Sequence, residues 1–206
     1  MIKAQNISHS YSNDIALKNI DFEIKKGEFV AIVGESGSGK STLLSILSTL
    51  LKPTSGEVYF EGTKFKDIKD IDTFRQKNIG FIFQFHYLIN YLTIKENIQI
   101  ANENSTKEEI EELLKLLGIK NILNKYPNEI SGGQRQRAAI ARALINKPKV
   151  IFADEPTGNL DSINSQNVFD IFKKLSNEGT TIIVATHDLK LASKTDKTIE
   201  VKDGQL

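Results

Sequence analysis

The stretch EFVAIVGESGSGKSTLLSILSTLL, Glu28 to Leu51, decides how the rest of the chain is read. Its first part, Glu28 to Val33, is an apolar, β-branched run of the kind that forms a buried strand. Its second, Gly34 to Ser41, matches the phosphate-loop pattern G-x-x-x-x-G-K-[ST], and its third predicts a helix over Lys40 to Leu51. Strand, glycine-rich loop and helix in this order are the context that the pattern requires. Gly34, Gly37 and Gly39 let the backbone N–H groups of Glu35, Ser36 and Ser38 turn inward around an anion. The helix end at Ser41 and Thr42 adds its positive dipole. Lys40 supplies a mobile charge for β and γ phosphates, and the Ser41 hydroxyl is placed to ligate Mg²⁺. A merely flexible Gly/Ser turn would not need the flanking strand and helix. The stretch implies a nucleotide site.

VIFADEP, Val150 to Pro156, delivers two carboxylates to the end of a second apolar run. Asp154 suits a magnesium ligand, directly or through water. Glu155, one residue further toward the crevice, suits a general base for an attacking water. Gly80 to Phe83 and Thr181 to Ala185 predict further buried strands. Thr106 to Leu117, Ser131 to Leu144 and Ser162 to Leu175 predict helices, the first opened by the capping box Thr106 to Glu109 and closed at Gly118. The alternation argues an α/β fold on a mostly parallel sheet. Ile2 to Glu61 holds more strand than helix (NIDFEI, GEVYF), so an antiparallel β layer is expected to pack on that core. Residues from about His86 to Lys125 are helical, polar and rich in Asn, Lys and Glu; they read as an insertion.

Composition narrows the function classes. The 206 residues carry 27 basic and 26 acidic side chains, a net charge of +1, with none of the basic excess of a nucleic-acid footprint. No cysteine is present, so disulfides, thiolate zinc sites and thiol nucleophiles are excluded. MIKAQNISHSYS lacks the apolar core of a signal peptide. IGFIFQFHYLINYLTI, Ile79 to Ile94, is free of charge, yet it is shorter than the roughly 18 to 20 residues a span needs. Gln84, His86 and Asn90 also interrupt it. The chain is expected in the cytoplasm, with no direct membrane insertion, meeting a membrane only through a partner.

ISGGQRQRAAIARAL, Ile130 to Leu144, places a glycine pair where a helix begins. Ser131 and Gln134 form a capping box. Gly132 and Gly133 cost backbone entropy there. Either the turn is ordinary, or something approaches those N–H groups closely.

With GESGSGKS, VIFADEP and ISGGQ in this order, the chain resembles the ATP-binding cassette family from Ile2 to Leu206, ISGGQ standing for the family's LSGGQ. The resemblance implies one cassette over residues 1–206: a P-loop core, an N-terminal antiparallel layer and a helical part, about 86–145, inserted in the core. It implies ATP, Mg²⁺ and a head-to-tail dimer of two copies that forms with ATP. In that dimer Ser131, Gly132, Gly133 and Gln134 would meet the γ-phosphate held by the other copy's loop. It further implies that Gln84 contacts Mg²⁺ and the attacking water and senses the membrane partner. Asn159, Leu160 and Asp161 would form the loop crossing the interface, His187 would hydrogen-bond the γ-phosphate, and Tyr11 would stack on adenine.

The length, DEPTGNLD and the ending VKDGQL look like the exporter-type group of lipoprotein-releasing, macrolide-efflux and cell-division cassettes. FQFHYL, Phe83 to Leu88, is similar to the lipoprotein-releasing type. That resemblance implies an ATPase subunit peripheral on the cytoplasmic face of the inner membrane, bound to integral permease subunits and driving lipoprotein release. Macrolide or antimicrobial-peptide export, or a cell-division complex, is the nearest alternative. DNA-repair and ribosomal relatives need coiled-coil insertions or a second cassette that 206 residues do not hold, and a small-molecule kinase would not explain ISGGQ.

Overall fold

The structure is a computed structural model that describes residues 1–12, 14–158 and 160–206. Two long strands open the chain, β1 (Ile2–Tyr11) and β2 (Asp14–Ile24), paired antiparallel. β3 (Phe29–Val33) follows, with all five residues buried, and leads through the glycine loop into α1 (Lys40–Leu47). α1 is shorter than the expected helix to Leu51. Thr49 turns to φ +66°, and the N–H groups of Leu50 and Leu51 both return to the Ser45 carbonyl, which closes the helix. Next come β4 (Ser55–Phe60), β5 (Thr63–Lys64), α2 (Ile71–Asn78) and β6 (Ile79–Ile82).

Three helices then follow: α3 (Ile94–Gln99), α4 (Lys107–Leu116) and α5 (Gly132–Leu144). Each opens with a complete capping box, from Thr93/Glu96, Thr106/Glu109 and Ser131/Gln134. Reciprocal side-chain bonds satisfy N–H groups that a helix start otherwise leaves bare. The chain ends with β7 (Val150–Asp154), α6 (Ser162–Asn177), β8 (Thr181–Ala185), α7 (Leu189–Ala192) and β9 (Lys197–Glu200).

The core is a parallel sheet in the order β6-β7-β8-β3-β9, and an antiparallel sheet runs β2-β1-β4-β5. Side chains alternate across the parallel sheet, as period-2 strands must. Phe29, Ile151, Ile182 and Val184 join one core with α3, α4, α5 and α6. Val30, Ile32, Phe152 and Ile183 face the other way and pack with α1 and the antiparallel layer. Phe29, Phe169 and Phe172, with centroids 5.6 to 6.2 Å apart, clamp α6 to β3. Such aromatic pairs contribute roughly 0.5–1.5 kcal/mol each beyond the area they bury. With both faces covered, the carboxyl ends of β3, β7 and β8 form one rigid rim, the usual place for a ligand in an α/β sheet.

Candidate functional site

The glycine loop leaves that rim at Gly34, which sits at φ +151°; a Cβ there would lie 2.1 Å from the Val201 carbonyl oxygen. Gly39, at φ +108°, is the N-cap of α1 and supplies no side-chain cap. A Cβ on it would lie 2.6 Å from the Ala16 carbonyl oxygen. Only glycine permits both the turn and the close approach. The first N–H groups of α1 therefore carry no side-chain cap, an arrangement that suits an anion. Lys40 is buried, and its Nζ donates to the carbonyls of Gly34 (2.8 Å) and Glu35 (2.7 Å). Behind the loop, the Gly204 N–H donates to the Ser38 carbonyl at 3.0 Å, and the Gly204 carbonyl accepts the Lys18 N–H at 2.8 Å. The loop is braced from β2 through the turn after β9.

β7 brings the carboxylates to the same place. The Ser41 hydroxyl hydrogen-bonds the Asp154 carboxylate. Burial pushes the Asp154 carboxyl above the ordinary carboxylate range and the Glu155 charge adds to this, while the Ser41 bond and the Lys40 charge oppose it. Glu155 stands at φ +44°, a costly conformation outside glycine, with its N–H bonded to the Ala185 carbonyl at 2.9 Å. Its Oε1 accepts the His187 N–H (3.0 Å) and lies 2.8 Å from His187 Nδ1, and its Oε2 accepts the Thr186 hydroxyl (3.3 Å). Glu155 is thus aimed by the end of β8.

A cleft of about 680 Å³ collects these groups. Ser36, Gly37, Gly39, Lys40, Ser41 and Thr42 line it, with Asp154, Glu155 and His187 opposite. Gln84 and Phe85 enter from beyond β6, and Tyr11, half-exposed and edge-on to the His9 ring at 4.7 Å, stands at the rim. Gly34, Glu35 and Ser38 build the loop from behind and do not line the cleft. Among the described residues the cleft gathers most of those picked out in the sequence.

Two groups lie elsewhere. Ser131, Gly132, Gly133 and Gln134 do not line the cleft. Ser131 Oγ accepts the Gln134 N–H (3.3 Å) and Gln134 Oε1 accepts the Ser131 N–H (3.0 Å). Among the described residues a Cβ on Gly132 would meet nothing nearer than the Arg135 guanidinium at 3.9 Å, so their packing does not require glycine there. Leu160 packs against the main core, and Asp161 caps α6 by accepting the Asn164 N–H at 2.8 Å. Asn159 lies outside the described residues. Sequence reasoning missed Gly204, whose link to the loop is 166 positions long and leaves no local signal.

A phosphate loop at the end of a parallel strand, faced by two carboxylates from another strand of the same sheet, defines a P-loop nucleoside triphosphatase. The family described as ABC transporter matches residues 17–158. The chain is 47% identical to the lipoprotein-releasing system ATP-binding protein LolD of Aquifex aeolicus, over 100% of this chain and 96% of that protein. It is 45% identical to an uncharacterized ABC transporter ATP-binding protein of Methanocaldococcus jannaschii, over 100% and 97%. The dimeric post-hydrolysis structure of the ATP-binding cassette MJ0796, bound to ADP and Pi, superimposes with a TM-score of 0.94 at 41% identity, over 100% and 96%. The chain belongs to the ABC transporter family, as an ATP-hydrolysing, ATP-binding subunit.

Proposed function

We propose that this subunit drives the release of lipoproteins from the membrane, as an ATP-dependent head-to-tail dimer seated on permease subunits at the cytoplasmic face. The observation that carries the cargo is the full-length likeness to a lipoprotein-releasing ATP-binding protein. The dimer is supported by ISGGQ lying away from its own cleft and by a Gly132 that intrachain packing does not demand. Ser131 and the N–H groups of the glycine pair then serve the γ-phosphate of a second copy, beside Leu160 and Asp161. Among the described residues no helix is long and apolar enough to cross a membrane. Docking is instead assigned to the exposed rings of Phe85, Tyr87 and Tyr91, which are 62 to 80% exposed.

In the reaction, Glu155 accepts the proton of the attacking water while His187 holds its carboxylate in place. Lys40 and the loop N–H groups face the phosphate charge, and Tyr11 stacks on the base. The donors Ser41, Asp154 and Gln84 are hydroxyl, carboxylate and amide oxygen, the hard set that Mg²⁺ prefers. Among the described residues no cluster of three His, Cys, Asp or Glu could hold a metal alone. That fits an ion completed by substrate phosphates, whose chemistry is to neutralise phosphate charge.

The test is reconstitution with the permease subunits in liposomes carrying an acylated lipoprotein. ATP-dependent release of the lipoprotein is expected. ATPase stimulation by a macrolide or a peptide, with the lipoprotein left in place, would overturn the assignment.

A further inference from the structure

We propose that Arg142, assisted by Gln136, is a positioning residue for Gln84: from α5 the two side chains grip the backbone on both sides of it, so that α5 and the Gln84 segment move as one piece. The proposal rests on the reading of Gln84 as a group that faces the metal and the attacking water.

The grip is specific. Arg142 sends one guanidinium nitrogen to the Tyr87 carbonyl and the other to the His86 carbonyl, each at 2.8 Å. A planar fork on two consecutive carbonyls sets the orientation of a peptide as well as its distance, which a lysine ammonium cannot do. On the other side of Gln84, Gln136 Nε2 donates to the Phe83 carbonyl at 3.2 Å. Gln84 thus lies between two anchor points on one helix, and it lines the cleft with Ser41 and Asp154.

Two features are poorly explained by stability. Gln136 is 1% exposed, yet its Oε1 finds no partner among the described residues. A buried amide with one end unsatisfied costs more than an apolar side chain of similar size would. Tyr87 stands at φ +44°, strained for a residue with a bulky side chain, and its carbonyl is one that Arg142 holds. Such strain persists where surrounding contacts over-determine it. Arg142 provides those contacts.

The same helix begins at Ser131, and an α-helix advances about 1.5 Å per residue, so Arg142 lies roughly 16 Å along a rigid rod from the signature. A phosphate drawn onto Ser131 shifts that rod. A partner pressing on Phe85 or Tyr87 shifts the other end of the same linkage. In either case Gln84 is carried with it.

The experiment is a double-mutant cycle on the full chain, reading ATP turnover. Gln84→Ala and Arg142→Ala are each expected to lower kcat about tenfold or more, as small misplacements of reacting groups do, while the KM for ATP stays near its original value. The double variant is expected to lose no more than Gln84→Ala alone, because Arg142 acts through Gln84. Arg142→Lys, kept as the variant that retains charge and bulk, should show the same non-additive loss. Losses that multiply in the double variant overturn the Arg142 link, since general damage to the fold would act equally in both backgrounds. A Gln84→Ala protein with undiminished kcat is a different result, which overturns the reading of Gln84 beneath it.

Discussion

One oxygen of Glu155 takes two bonds from a single residue: Oε1 accepts the backbone N–H of His187 at 3.0 Å and lies 2.8 Å from its ring Nδ1. The ring is 76% exposed while the carboxylate is 14% exposed, so His187 reaches in from solvent to hold a sheltered group. The pairing matters for what Glu155 can do once it no longer accepts a proton.

Glu155→Gln preserves shape and can still accept the His187 N–H bond, but it cannot take the water's proton. ATP should then bind without being consumed, and two copies should close over two nucleotides by mass action. Light scattering coupled to gel filtration should show a dimer with ATP and a monomer with ADP. Adding Ser131→Arg should abolish the dimer, since a bulky cation would stand in the phosphate's place. A Glu155→Gln protein that stays monomeric in saturating ATP would remove the case for ISGGQ acting between copies.

Lys40→Ala should abolish ATP turnover. The side chain ties the loop through the Gly34 and Glu35 carbonyls and, in the proposed reaction, supplies the charge that faces the phosphates. Its loss should leave far-UV circular dichroism unchanged, because it lines the cleft and belongs to neither apolar core cluster. Near-normal hydrolysis by a well-folded variant would sink the assignment of the loop.

Asp154→Asn should trade activity for stability. Burial raises the Asp154 carboxyl pKa in the fold, so the ionised group weakens the folded state above that pKa, and the penalty is relieved as pH falls through it. In chelator at pH 7.5 the variant should melt above the wild type, with turnover lost. The gap should close on acidification, as the wild-type carboxyl takes up its proton. A variant that melts lower at pH 7.5 counts against the burial argument.

Tyr11→Ala should weaken ATP binding and leave the chemical step largely intact. Stacking a base on an aromatic ring contributes roughly 1–3 kcal/mol, so the dissociation constant should rise tenfold or more. A titration that matches the wild type would leave Tyr11 as an exposed turn residue.

What was legible in the sequence was local. The phosphate loop declares itself through spacing, and the capping boxes at Thr106 and Ser131 through residues three apart. β7 and β8 are continuous apolar runs because both of their faces are covered. Illegible elements were those whose reasons are distant. β9 reads KTIE, with one buried residue, and is a strand only because β3 lies beside it. The early end of α1 depends on a left-handed Thr49, which no pattern of apolar residues announces. Arg142 and Gln136 look like ordinary helix residues until the fold sets Phe83, His86 and Tyr87 against them across more than 50 positions.

The placing of β3 between β8 and β9 bears on how the protein is made. A ribosome delivers the phosphate loop early, yet both strands that flank β3 emerge only from Thr181 onward. Through most of translation the loop hangs from a strand with no neighbours, and such long-range pairings are slow to form. Nucleotide capture then becomes a sign that synthesis has run nearly to the end. A nascent chain released before Thr181 carries every letter of the phosphate-loop sequence without either strand that pairs with β3.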